Sequence, residues 1–318
     1  MRYVLRADAS KLMGAGHVMR SSAIAEELIA RGEEVIFVGQ ISDLPWVEER
    51  ISSLGFSLIF KQSSDYISRS ESDVLILDTY KSEVTDPFLD PENWLHIVSI
   101  VDELTPNYRC TLRIHPGLDS DWTGNSLIPI LAGPKYIPFR SSLYRNIHVR
   151  SLEEHILKIA VVAGGSDPHG LVKEIAKTLS TMSEQFEVYL FSNSFVDSVL
   201  DSRFFYIEVG PRLDEVTRDV DLVLTTASTS SLEFIARGLS VGIVCAIKNQ
   251  EQYYKSLSEL GIAIPLGFRN SENNWDLNQQ KIYSLVNSSE IRENLIARAA
   301  GLIDFNGASR IVDAITNL

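Results

Sequence analysis

Short, unbroken apolar runs alternate with amphipathic segments along this chain, and the alternation occurs in two series. The first series passes through "YVLRAD", "EVIFVG", "SLIF", "DVLILD", "HIVSIVD" and "TLRI". The second passes through "LKIAVVAGG", "FEVYLFS", "FFYIEVG", "DLVLTTA", "SVGIVCAI" and "IAIPLG". Strands covered on both faces read as continuous Val/Ile/Leu runs, whereas half-exposed strands alternate apolar with polar. Between them, "HVMRSSAIAEELIARG", "LPWVEERISSLG", "GLVKEIAKTLSTM" and "SSLEFIARG" read as amphipathic helices. Such alternation predicts right-handed βαβ units and parallel sheets.

A chain of 318 residues accommodates two domains of about 150 residues each. The expected architecture is α/β, with two Rossmann-like domains facing a cleft. The first is expected over residues 1–145 and the second over residues 146–318. The stretch "GPKYIPFRSSLYRNIHVRSLEEH" reads as the linker, and the last helix, "GASRIVDAITNL", can pack back on the first domain.

Composition narrows the function. A net charge of −13 argues against a nucleic-acid or anionic-membrane partner, since both need a basic face. No apolar window approaches the length of a membrane span, and the N-terminus has no secretory apolar region, so a cytoplasmic location is expected. Cys110 and Cys245 stand far apart, in no metal-ligand spacing. The chain has no H-E-x-x-H, no G-K-[ST] phosphate loop and no G-x-S-x-G elbow. The acidic pair Asp119 and Asp121 sits in a Pro/Gly-rich stretch and reads as solvated loop. Neither a metal nor another cofactor is expected.

Candidate site residues fall where strands end. In "RADASKLMGAGHVMR", Gly14 and Gly16 turn the chain into a helix that opens with His17, and Arg20 follows one turn later. The positive end of a helix disfavours an imidazolium, so His17 reads as a neutral base placed beyond the carboxyl end of a strand. Asp78 and Tyr80 in "LILDTY", with Asp102 in "SIVDEL", end strands on the same rim and read as substrate-facing. In the second series, Gly164, Gly165 and Ser166 offer backbone N–H groups and a hydroxyl to an anion, with Asp167 readable as a helix cap. Ser228 and Thr229 open a helix after a strand, with Glu233 a turn deeper. Those residues suit a diphosphate and a ribose, or else a capping box joining Ser230 to Glu233. Asn249 and Gln250 in "KNQEQ" suit sugar hydroxyls.

Taken together, "RADASKLMGAGHVMR", "LDTY", "VDEL", "GPKYIPFR", "AGGSDP", "TASTSSLE" and "KNQE" resemble, in order, the motifs of the UDP-2,4-diacetamido-2,4,6-trideoxy-β-L-altropyranose hydrolases of pseudaminic acid biosynthesis. The resemblance implies the GT-B fold, kinship with the peptidoglycan N-acetylglucosaminyltransferase, and a UDP-sugar substrate cleaved by water with inversion and without a metal. It implies His17 as general base, Gly14 and Gly16 beside the diphosphate, and Tyr80 in the active site. Glu233 would meet the ribose, Ser228 and Thr229 the phosphates, and Asn249 and Gln250 the sugar. His115 stands where that family usually has asparagine. The alternative is a glycosyltransferase of the same fold, with His17 deprotonating an acceptor hydroxyl.

Overall fold

The apolar runs form two sheets, each with its own core. The structure is a computed structural model that describes residues 1–10, 13–55, 57–59, 71–79, 87–102, 108–119, 127–143, 156–164, 167–192, 201–210 and 212–318. The chain divides into one compact unit of Met1–Ser142 with Asp304–Leu318, and a second of Leu143–Ile303.

The first unit carries β1 (Arg2–Ala7), β2 (Ala9–Ser10), α1 (Gly16–Ala30), β3 (Glu34–Val38), β4 (Ile41–Ser42), α2 (Pro45–Ser53) and β5 (Ser57–Ile59). After these come β6 (Val74–Asp78), β7 (His96–Ile100), β8 (Leu112–His115) and β9 (Ile130–Ala132). Its main sheet has the order β5-β3-β1-β6-β7-β8-β9, parallel throughout. Along β1, Tyr3 and Leu5 join one buried cluster while Val4 joins another on the opposite face. That double burial is why the strand reads as an unbroken apolar run. One face is covered by α1 through Val18, Ile24 and Leu28, and by α2 through Val47 and Ile51. Phe88 and Trp94 cover the other, their rings 5.1 Å apart edge to face.

The last helix, Gly307–Thr316, belongs to this unit and inserts Ile311, Val312 and Ile315 beside α1. Gly307 is required there, because a Cβ would lie 2.0 Å from the Ile137 carbonyl oxygen. Arg31 pairs with Asp313 at 2.6 Å and Arg310 donates to the Lys135 carbonyl at 2.9 Å, fixing the helix at both ends.

The second unit carries β10 (Leu157–Val162), α3 (Leu171–Ser180), β11 (Phe186–Phe191), β12 (Phe204–Ile207), α4 (Leu213–Val216), β13 (Leu222–Thr226) and α5 (Thr229–Ala236). It continues with β14 (Ser240–Cys245), α6 (Glu251–Glu259), β15 (Ile264–Arg269), β16 (Trp275–Leu277), α7 (Gln279–Asn287) and α8 (Ser289–Ala299). The sheet order is β12-β11-β10-β13-β14-β15-β16, parallel except for the β15–β16 pair. Ile159, Val161, Leu190, Leu222 and Leu224 form its core with Leu171, Ile175 and Leu179 of α3.

Both sheets are wound alike. In each, the chain moves outward in one direction from the first strand, then returns to build the other side. The order therefore reverses between β1 and β6 in one unit and between β10 and β13 in the other. At such a switch point the flanking loops diverge and leave a crevice beyond the strand ends, where open α/β sheets hold their ligands. His17 and Asp78 lie at the first of these places and Gly164, Ser228 and Thr229 at the second, while Asp102 follows β7 and Asn249 and Gln250 follow β14.

Candidate active site

In the first unit the chain leaves β1 and turns at Gly14, whose φ of +86° is in the region that favours glycine. The Gly14 N–H donates to the Ser10 carbonyl at 2.7 Å, closing the turn, and α1 starts two residues later at Gly16. His17 thereby enters the first turn of α1 beside the end of β6, where Asp78 is the last residue.

Asp78 is fully buried, and four donors converge on it. Its Oδ1 accepts from His17 Nδ1 at 2.6 Å and from Arg20 Nη2 at 2.6 Å. Its Oδ2 accepts from Arg20 Nε at 2.7 Å and from Ser21 Oγ at 3.1 Å. Burial pushes the Asp78 carboxyl up, but the charge of Arg20, with His17 and the hydrogen bonds, outweighs that and holds it below the usual carboxylate range. An ionised carboxylate only accepts, so the shared proton sits on Nδ1 and His17 donates it. The 3.2 Å approach of Arg20 Nη2 to Nδ1 is then one of two donors aimed at the same oxygen. With Nδ1 protonated, Nε2 is the ring nitrogen that can take a proton from a substrate.

Arg20 reaches further. Its Nη1 donates to Asp102 Oδ1 at 2.6 Å and its Nη2 to Asp102 Oδ2 at 3.2 Å. Burial works against its charge, and the two carboxylates more than offset it, raising the guanidinium well above its ordinary value. These contacts correct the sequence reading of Arg20 and Asp78 as substrate-facing. Both are buried, and their polar atoms are engaged with the protein. Asp102 keeps a side-chain exposure of 21%. A carboxylate 61 residues away in sequence also bonds to the His17 ring, beside the helix end expected from the sequence.

Sequence reasoning missed Asp8, directly after β1. Its carboxylate accepts from the Gln40 N–H at 2.8 Å, from Thr79 Oγ1 at 3.2 Å and from Arg6, tying together the ends of β1, β3 and β6. The signal was present in "RADAS", an acid at the end of the first strand. His115 is buried at the end of β8, donating from Nδ1 to the Val101 carbonyl at 3.1 Å. A side chain at Gly117 would sit 2.5 Å from its Nε2. Tyr80 and Asp121 lie outside the described residues, and Asp119 is exposed.

The rim of the second unit has a different construction. Gly164 follows β10 with φ +72°, while Gly165 and Ser166 lie outside the described residues. The helix that follows, α3, begins at Leu171 behind Gly170. Asp167 already accepts from the Leu171 and Val172 N–H groups at 2.8 and 3.1 Å. The protein's own carboxylate thus caps that end of α3, as the reading of Asp167 as a helix cap expects.

After β13 the arrangement is open. Ser228 is the N-cap of α5; its N–H donates to Ser231 Oγ at 3.3 Å, and Ser231 Oγ donates to the Ser228 carbonyl at 2.6 Å. The capping pair is thus Ser228 with Ser231, not Ser230 with Glu233. Among the described residues, the N–H groups of Thr229 and Ser230 have no protein acceptor. Glu233 is half-buried one turn deeper. Beyond β14, Gln250 Oε1 accepts from the Ala246 N–H at 2.8 Å, so its carbonyl shapes the turn and its amide N–H groups are the end that could meet a sugar. Asn249 is exposed beside it. A pocket of about 470 Å³ adjoins this turn, lined by Cys245, Lys248, Tyr254, Phe268 and Arg269 among others. Among the described residues, no group of three or more His, Cys, Asp or Glu side chains could hold a metal ion. No helix among them is long and apolar enough to cross a membrane.

No protein-family model matches the sequence, and the curated proteins give no match. Solved structures do. The chain superimposes on Acinetobacter baumannii MurG with a TM-score of 0.68 at 11% identity, over 100% of both chains. It matches the spinosyn rhamnosyltransferase SpnG, complexed with thymidine diphosphate, with a TM-score of 0.65 at 12% identity, over 98% of this chain and 100% of that one. CalG4, the calicheamicin glycosyltransferase, gives 0.60 at 13% identity, over 100% and 98%. The chain has the GT-B fold. In this GT-B chain the two switch points are chemically unequal. One holds a buried His–Asp pair, and the other an open helix end flanked by hydroxyls and a carboxylate.

Proposed function

We propose that this protein is a nucleotide-sugar-dependent group-transfer enzyme in which His17 is the general base. The observation that carries the reading is the Nδ1–H donation from His17 to the buried, ionised Asp78, which leaves Nε2 as the basic nitrogen. In the proposed step, Nε2 takes the proton of an incoming hydroxyl. The hydroxyl oxygen bonds to the anomeric carbon as the bond from that carbon to the nucleotide's phosphate oxygen breaks, with inversion. The leaving diphosphate keeps the electron pair.

The second unit is assigned the nucleotide. The α5 end, with the N–H groups of Thr229 and Ser230 and the Ser228 hydroxyl, suits a diphosphate, because helix N-termini combine unpaired donors with a positive dipole end. Glu233, one turn deeper, suits ribose hydroxyls, and Asn249 with the Gln250 amide suits the sugar. UDP is the nucleotide favoured by the motif resemblance, and the thymidine diphosphate bound by SpnG makes dTDP-sugars the natural comparison.

Two acceptors fit the same chemistry. A hydroxyl on an acceptor molecule makes the protein a glycosyltransferase, which is what SpnG and CalG4 are named as. Water makes it a hydrolase of a UDP-diacetamido-trideoxyhexose, which the motif "RADASKLMGAGHVMR" favours. The GT-B neighbours favour transfer. Incubation with a panel of UDP- and dTDP-sugars, without acceptor, separates the two. Stoichiometric nucleoside diphosphate release at a catalytic rate identifies the hydrolase, and turnover only on addition of an alcohol acceptor identifies the transferase. Binding of none of the nucleotides by calorimetry would overturn the reading.

A further inference from the structure

Four side chains form a linear relay of contacts at the first switch point: Asp102 to Arg20, Arg20 to Asp78, Asp78 to His17. Of the four, His17 is the one read above as the base. The guanidinium in the middle is 6% exposed, so it cannot serve a substrate without abandoning both carboxylates. Its geometry is specific. The Nε and Nη2 donors grip the two oxygens of Asp78 as a fork, at 2.7 and 2.6 Å. Such a fork fixes the carboxylate plane as well as its position. The oxygen it presents, Oδ1, is the one that receives His17 Nδ1–H.

We propose that Arg20, braced by Asp102, is a positioning residue that sets the plane of Asp78 and through it the tautomer and orientation of His17. The proposal rests on the reading of His17 as base. The sequence places the parts for it. Arg20 lies three residues after His17, one turn along the same face of α1, so both side chains point at the end of β6. Asp102 follows β7, the neighbour of β6, so it meets the guanidinium from the far side. A carboxylate alone could hold the imidazole at either oxygen and over a range of angles. A carboxylate gripped in a fork holds it at one oxygen and one angle, and displacements of about 1 Å can cost 10²-fold in rate.

The test uses Arg20→Lys, which keeps the charge but loses the fork, and Asp102→Asn, which removes the brace at its solvent end. The ¹⁵N shifts of the His17 imidazole in the folded, ligand-free protein are one readout and need no substrate. In the wild type, the neutral ring should show a protonated Nδ1 and a bare Nε2. Both variants should weaken that signature toward the mixed tautomers of a free imidazole. Near-UV circular dichroism confirms folding, and Asp102→Asn serves where Arg20→Lys does not fold. Kinetically, on a nucleotide sugar turned over by the wild type, each variant should lower kcat by about 10- to 100-fold with KM nearly unchanged. In a His17→Asn background neither should lower kcat further. Three results would overturn the proposal: an unchanged tautomer signature in both variants, a raised KM at constant kcat, or the same loss of kcat with His17 already replaced. If His17→Asn itself has wild-type kcat, the base reading fails, and the imidazole spectra still decide whether Arg20 sets the ring.

Discussion

The switch points of the two units have the same strand order around them and opposite chemistry. Beyond β1 and β6, polar side chains turn inward and satisfy one another: Asp78 accepts four hydrogen bonds and is completely buried. Beyond β10 and β13, Ser228, Thr229 and Ser230 are half-buried, and among the described residues the Thr229 and Ser230 N–H groups have no protein acceptor. A reacting group must be held in one orientation before the substrate arrives, which a closed network achieves. A ligand-binding surface must keep its donors available, which a closed network would prevent. The neighbouring α3 makes the point within the second unit. Asp167 fills its helix end, and burial, partly offset by the Leu171 and Val172 N–H groups, pushes that carboxyl up. Among the described residues, α5 is the helix start at that switch point whose first N–H groups have no protein acceptor.

If the first rim does chemistry and the second binds nucleotide, substitutions should separate cleanly. The largest effect belongs to His17. His17→Asn should lower kcat by roughly 10²–10⁴-fold, the usual contribution of a positioned base, with the Kd for nucleoside diphosphate unchanged by calorimetry. A folded variant with near wild-type kcat would erase the contrast. Next is Asp78→Ala, which removes one of the two carboxylates that neutralise the buried Arg20. Urea unfolding should show a loss of about 3–5 kcal/mol, as for breaking one side of a buried ion pair. A loss well under 1 kcal/mol would mean that the first rim is not a closed network.

In the second unit, Glu233→Ala should weaken nucleoside diphosphate binding by about 1–3 kcal/mol, the range for losing a partner of a buried polar group, and leave the stability of the first unit alone. Unchanged affinity would remove the ribose assignment. The smallest effect concerns acid. The Asp78 carboxyl is held below its ordinary value of 3.8, so its stabilisation is present above that value and lost as pH falls through the lower folded-state value. The stability difference between wild type and Asp78→Asn should therefore hold from neutral pH down to about 4 and narrow below it. A gap in urea midpoints that stays constant down to pH 2 would show that the carboxyl is not depressed by Arg20.

Much of the secondary structure was legible because buried parallel strands leave an unmistakable apolar run. "LKIAVVAGG" and "DVLILD" became β10 and β6, with β6 starting one residue later and β10 ending three residues earlier than expected. β9 carries no sequence signal, since three residues are too few to show a period and its neighbours include prolines. β16 is equally short, and it pairs antiparallel as the return leg of a hairpin from β15. The capping pair at α5 was displaced by two residues from the one expected. The S-x-x-E spacing at Ser230 was real, but the helix started earlier, at Thr229, with Ser231 supplying the return contact to Ser228.

The site divides in the same manner. The turn at Gly14, the entry of His17 into a helix and the acids at strand ends could all be read from the chain, because each is a local consequence of residue type. Which acid would meet His17 could not. Asp78 is 61 residues from it, and Asp102 is 82 residues from Arg20. Their meeting depends on β6 pairing with β1 and β7 with β6, in registers set by the packing of whole strand faces. The sequence determined that a histidine and several carboxylates would reach one rim. Only the tertiary structure decided that they would bury together around Arg20, because an ionised carboxylate survives burial only where a fixed cation and a full set of donors meet it.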